Sequence, residues 1–106
     1  MTEHRSPDPG LERLLDDAWE ALEDGDLRAA KRALRSAHER APDAPAVLEL
    51  EAALARERED PEAALEAYRR WSEADRDDPE PWLGSAEVYL DYGEPAEAAR
   101  LLRELL

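Results

Sequence analysis

An all-α chain of paired helices is the fold this sequence predicts, on three observations. Helix breakers fall at Gly25-Asp26, Pro42 to Pro45, Asp60-Pro61, Asp78 to Pro81 and Gly93 to Pro95, leaving stretches of about 14 to 17 residues, enough for about four helical turns each. Apolar residues within those stretches recur at helical spacing, and no segment alternates with the period of two that a half-buried strand shows. Columns of small and large residues then recur at a constant offset of 34 residues.

Taken in order, residues 1 to 9 are polar, contain Pro7 and Pro9, and read as a disordered tail. A first helix is expected near 10 to 24, with Leu11, Leu14, Ala18 and Ala21 in one stripe. The second, near 27 to 40, opens behind Asp26 as cap and aligns Leu27, Ala30, Leu34 and Ala37. Leu48, Ala52 and Ala55 mark the third, near 45 to 58. The fourth, near 61 to 75, the fifth, near 79 to 92, and the sixth, near 95 to 106, begin with Pro61, Pro79 and Pro95 in their first turns, where a missing N–H costs no helical hydrogen bond. Asp60 and Asp78 stand ready to cap the fourth and fifth.

The chain has 106 residues, one domain's worth, and its 42% hydrophobic content is rich in alanine, which favours helices over a thick sandwich core. It contains no cysteine, which removes disulfides and thiolate metal sites. The start lacks the apolar core of a secretory signal, and no stretch approaches the ~20 apolar residues of a membrane span, so a soluble cytoplasmic protein is expected. A formal net charge of -14 repels phosphate backbones, so no nucleic acid is expected and a protein or peptide with basic residues is the more natural partner. Lys31 is the only lysine, a bias that suits a GC-rich genome or a high-salt interior equally.

Nothing in the pattern points to catalysis. His4 and His38 are too far apart for a helical metal pair, and the acidic pairs, such as Asp16-Asp17 and Asp77-Asp78, lack the glycine turn and ligand alternation of a calcium loop. No phosphate-cradling glycine loop and no nucleophile–base pair is present. No metal, no cofactor and no enzymatic activity are expected.

The register at 34 residues is specific. Ala18 falls on Ala52 and Ala86, Ala30 on Ala64 and Ala98, Leu34 on Tyr68 and Leu102, and Gly25 on Gly93. Small residues recur where paired helices would cross closely, and large ones where a core must be filled. With these columns the chain resembles the tetratricopeptide repeat family, in units at 11–44 and 45–78 and a partial third at 79–106. The third is the plainest, with Trp82, Ala86, Tyr89, Gly93 and Ala98 at family positions. Departures are Asp17, Glu51 and Ser85 at usually apolar positions, Glu59 for a turn glycine, Trp71 for a small residue, and a closing proline displaced to Pro79. They bear on the packing of the middle unit rather than on the fold.

The resemblance implies a right-handed superhelical stack of antiparallel helix pairs whose first helices line a concave groove. Its lining would be Leu15, Trp19 and Leu22, then Glu49, Ala53 and Arg56, then Leu83, Glu87 and Leu90. On the first helix, Leu15, Trp19 and Leu22 form a second apolar stripe beside the packing stripe, either a binding floor or deeper burial. Flanking carboxylates suit an apolar anchor with Lys or Arg from a partner peptide. The family's lysine, asparagine and arginine clamp for chaperone C-termini has no counterpart, because the matching positions hold Leu15, Trp19, Leu50, Glu80 and Gly84.

The expected function is therefore a non-catalytic interaction scaffold with an acidic groove. Two alternatives stay open: an N-terminal repeat segment of a longer, possibly enzymatic protein, and a structural homodimer. Both draw on the last helix, which lacks the polar outer face of a repeat cap. By register Leu102 and Leu105 pack inward, Leu101 and Leu106 are left over, and these leucines form a stacking or dimer face. Three repeats with an open end also predict modest stability and fraying over 95–106.

Overall fold

The turns between helices repeat as strictly as the sequence columns do. Residues 8–105 are described by the structure, a computed structural model. Among them lie six helices: α1 Pro9–Glu23, α2 Leu27–Arg40, α3 Pro45–Glu57, α4 Pro61–Ala74, α5 Glu80–Asp91 and α6 Pro95–Leu105.

Within each pair the first helix ends on a residue with left-handed backbone, Gly25 (φ 79), Glu59 (φ 57) and Gly93 (φ 76). The residue after it reaches back across the last turn: Asp26 N–H donates to Ala21 O at 2.8 Å, Asp60 N–H to Ala55 O at 2.9 Å and Glu94 N–H to Tyr89 O at 2.7 Å. This pattern satisfies carbonyls that the helix end leaves without partners. Asp26 and Asp60 then cap the second helix through Ala29 N–H and Ala63 N–H. One residue thus closes a helix and its neighbour opens the next, which turns the chain through a hairpin in three residues.

Between pairs the connection also repeats. Ala41 (φ -152, ψ 76) and Asp75 (φ -137, ψ 84) adopt nearly the same conformation, and Ala44 N–H and Asp78 N–H donate to Ala41 O and Asp75 O at 3.2 Å each. Displacement of the closing proline leaves this turn unchanged. The consequence falls one residue later, where α5 begins at Glu80 rather than at the expected residue 79. Pro79 is its cap residue, Asp78 Oδ1 accepts from Glu80 N–H at 2.9 Å, and the first-turn proline is the buried Pro81. At the other end α1 starts at Pro9. Asp8 accepts from Leu11 N–H at 3.1 Å and from Arg40 Nη1 at 2.8 Å, which ties the head of α1 to the tail of α2. The expected tail at 1–9 therefore loses Asp8 and Pro9 to the helix, and its residues 1–7 lie outside the described residues.

The helices pack α1 on α2, α3 on α4 and α5 on α6, with α2 on α3, α4 on α5 and α1 on α3 joining successive pairs. The small columns sit at the crossings: Ala18 and Ala52 are 0% exposed, as are Ala30 and Ala64, with Ala86 at 3% and Ala98 at 2%. A larger side chain at any of them would push two helix axes apart.

The middle pair, despite its departures, holds the main core. Leu48, Ala52, Ala55, Ala64, Ala67, Tyr68, Trp71 and Val88 form one buried cluster, and Leu11, Ala37 and Val47 a second towards the first pair. Trp71, in its small-residue column, fills space instead of protruding: it is 7% exposed and stacks on Tyr68 with ring centroids 6.0 Å apart. Tyr68 in turn occupies the room that Gly84 leaves open, since a Cβ there would run into the tyrosine ring. Glu51 is half-buried, with Oε1 3.7 Å from Arg70 Nη1, and Arg70 also donates to Pro42 O at 3.1 Å.

Candidate functional site

The middle helix of the three first helices places Glu49, Ala53 and Arg56 on one face, four and three residues apart. Around them opens a recess of about 280 Å³, closed by Trp19 from α1, by Tyr68 and Trp71 from α4, and by Glu80, Leu83, Gly84 and Glu87 from α5. Three repeat columns meet here. Trp19, Ala53 and Glu87 are equivalent positions of the three pairs, so the small Ala53 leaves the space between a tryptophan and a carboxylate.

Arg56 fixes one wall. Its Nη1 donates to Glu87 Oε1 at 3.0 Å and to the Tyr68 hydroxyl at 3.3 Å, and its Nη2 donates to Asp91 Oδ2 at 3.2 Å. The hydrogen bond to Tyr68 first, and then Glu87, hold the guanidinium even further towards its charged form than usual. One arginine thus joins α3 to α4 and α5 and neutralises the acids on that side.

The opposite wall is left with its charge. Glu49 makes no ion pair among the described residues, and neither does Glu80. Loss of water beside the recess, with Asp78 and Glu80 near by, pushes the Glu49 carboxyl above its ordinary value. The carboxylates of Glu49 and Glu80 are exposed and lie beside the half-buried Trp19 and the 38% exposed Leu83.

Six of the nine expected groove residues come together in this recess: Trp19, Glu49, Ala53, Arg56, Leu83 and Glu87. The other three do not line it. Leu15 packs against the cluster of Leu11, Ala37 and Val47, so its stripe on α1 is largely burial. Leu22 is half-buried elsewhere, and Leu90 stands 54% exposed beyond the rim. Tyr68, Trp71, Glu80 and Gly84 line the recess without having been read as such from the sequence. The signals for them were Glu80 and Gly84 at positions matching the family's clamp, and Trp71 in a small-residue column.

On α6, Leu101, Leu102 and Leu105 are all half-buried, while Leu106 lies outside the described residues. Leu101, expected to be left over, instead lines a recess with Leu65, Trp82 and Tyr89, where the gap between α4 and α5 admits it. Among the described residues no three His, Asp or Glu side chains are placed to hold a metal ion, and no helix is long and apolar enough to cross a membrane.

A family model described as the tetratricopeptide repeat matches residues 21–82 and again residues 55–106, the second match beginning one repeat period after the first. Comparison with the curated proteins finds no match.

Proposed function

The chain belongs to the tetratricopeptide repeat family, and we propose that it is a non-catalytic interaction module that holds a partner protein or peptide by a basic side chain. The repeats of this family mediate protein–protein interaction. The observation that carries the finer reading is one wall of the recess: Glu49 and Glu80 form no ion pair among the described residues, and they lie beside the indole of Trp19. An arginine or lysine entering there gains a charge-assisted hydrogen bond from one side and an aromatic face from the other. Its apolar stem, or a neighbouring apolar residue of the partner, covers Leu83. The acidic balance of the chain steers such a partner and accelerates its encounter.

Titration calorimetry with short peptides carrying one central arginine, lysine or glutamine tests this. Binding is expected for the basic peptides only, weakened about tenfold by Glu49→Gln and by Trp19→Ala, since each removes one wall's contribution. Equal heats from basic and glutamine peptides would overturn the reading.

A second reading has its own observation. The apolar residues of α6 are mostly half-buried, with only Ala98 fully buried among those described, so part of a leucine-bearing surface stays open to a second copy. Light scattering over a range of concentrations decides it: a dimer that Leu105→Glu dissolves supports this reading, and a monomer at all concentrations removes it.

A further inference from the structure

The opposite face of α3 builds a different kind of recess. Glu51, Leu54, Ala55 and Arg58 point away from the face of Glu49, Ala53 and Arg56 and, with Lys31, Leu34, Arg35 and His38 of α2, enclose about 410 Å³. Leu34 and Leu54 lie in its floor, with Ala55 and Ala63 beside them. A recess of equal size recurs one repeat later between α4 and α5, where Lys31, Arg35 and His38 are replaced by Leu65, Arg69 and Ser72. The backbone shape is therefore a property of the repeat, and what differs is the charge.

In the later recess the arginine is neutralised, because Arg69 pairs with Glu66 and with Glu73, three residues before and four after it. Around Arg35 the same offsets hold Arg32 and Glu39, and Arg35 forms no ion pair among the described residues. Neither do Lys31, Arg28 and Arg58, and the first of these continues the row Arg28, Lys31, Arg35 along one face of α2. Three acids also line the recess: Asp60 caps Ala63 N–H at 3.1 Å, Glu51 Oε1 lies 3.7 Å from Arg70 Nη1, and Glu39 forms no ion pair among the described residues. Helix α2 carries Arg28, Lys31, Arg32, Arg35 and Arg40 against Glu39 alone, in a chain of net charge -14.

We propose that this recess docks an acidic segment of a partner protein, one apolar side chain seated on Leu34 and Leu54 and flanking carboxylates meeting Lys31, Arg35 and Arg58. Charge screening decides between the local cations and the acidic whole. At physiological salt the Debye length is about 8 Å, so a short segment in the recess senses its rim far more than the distant carboxylates. A nucleic acid, extended along the surface over several such lengths, meets the acidic remainder and has no use for a leucine floor. The site is distinct from the recess around Glu49 in position and in its unpaired cations, so it stands or falls independently of the function proposed above.

Fluorescence anisotropy on the full chain provides the test, with labelled twelve-residue peptides of Asp, Glu and Ser carrying one central Leu or Phe, and counterparts with Asn and Gln for the acids. The acidic peptides are expected to bind more tightly than the neutral ones. Lys31→Glu with Arg35→Glu is expected to weaken them about tenfold or more, and Lys31→Gln with Arg35→Gln to a smaller extent. Circular dichroism of these exposed-residue variants is expected to match the parent, and Trp19→Ala to leave the affinity unchanged. The proposal is overturned if acidic and neutral peptides bind alike or not at all, if binding survives charge reversal, or if it is lost in Trp19→Ala. It is equally overturned if a thymidine oligonucleotide outcompetes the peptides, or if charge reversal abolishes self-association instead, which would make a second copy the occupant.

Discussion

Glu59 adopts a left-handed backbone at φ 57, in the place where the other two pairs use glycine. A side chain there costs about 1–2 kcal/mol against the following carbonyl, partly offset by the larger entropy a glycine loses on folding. Glu59→Gly is therefore expected to raise the unfolding free energy by about 1 kcal/mol, a rise in Tm of roughly 4–8 °C for a domain of this size. Thermal denaturation followed by circular dichroism reads it, and an unchanged or lower Tm would refute the strain. Gly84 makes the opposite case. Alanine gains up to ~1 kcal/mol of helix propensity over glycine, but its methyl group would enter the Tyr68 ring, which cannot retreat because it is stacked on Trp71 and held by Arg56. Overpacking of that kind costs about 1–3 kcal/mol, so Gly84→Ala is expected to lower the urea midpoint. An increase would show that the tyrosine is free to move.

At the scale of the element, α3 and α6 mark the extremes. Val47, Leu48, Leu50, Ala52, Leu54 and Ala55 of α3 are buried, because this helix touches neighbours on both sides, whereas α6 fully buries only Ala98 among its described residues. Local opening free energy follows buried contact, so amides of α6 are expected to exchange with deuterium well before those of α3 and α4. Protection over 95–105 equal to that of α3 in a monomer would contradict this. The existence and order of all six helices could be read from breakers and periodicity, because caps and first-turn prolines act within a few residues. Helix starts at Pro9 and Glu80 could not be fixed as well, since they turn on whether Asp8 and Asp78 cap through one N–H or another.

The candidate site divides along the same line. The family resemblance implied a groove containing Trp19, Glu49, Ala53, Arg56, Leu83 and Glu87, and these six line one recess. Trp71 escaped, since its place depends on stacking against Tyr68, whose ring fills the room that Gly84 leaves in the next pair.

For the whole molecule, charge is the organising quantity. The raised pKa of Glu49, caused by lost water and then by Asp78 and Glu80, means that the folded state binds this proton more tightly than the unfolded state. Stability from this group consequently falls as pH rises through the window that opens at its ordinary value of 4.5, and the full penalty is present at neutral pH. Glu49→Gln is expected to increase stability at pH 7 and to flatten the pH dependence of stability in that window, read by urea denaturation at successive pH values. A loss of stability at pH 7 would instead place an attractive partner at the carboxylate. The sequence by itself determined the helix pairs, their turns and their register, because propensity, capping and small-residue columns are local and repeat with the chain. Only the tertiary structure decided which charges cancel: Arg56 of α3 reaches Glu87 and Asp91 of α5 while Glu49 and Arg35 form no ion pair among the described residues, and such pairings depend on distances between helices that no linear spacing encodes.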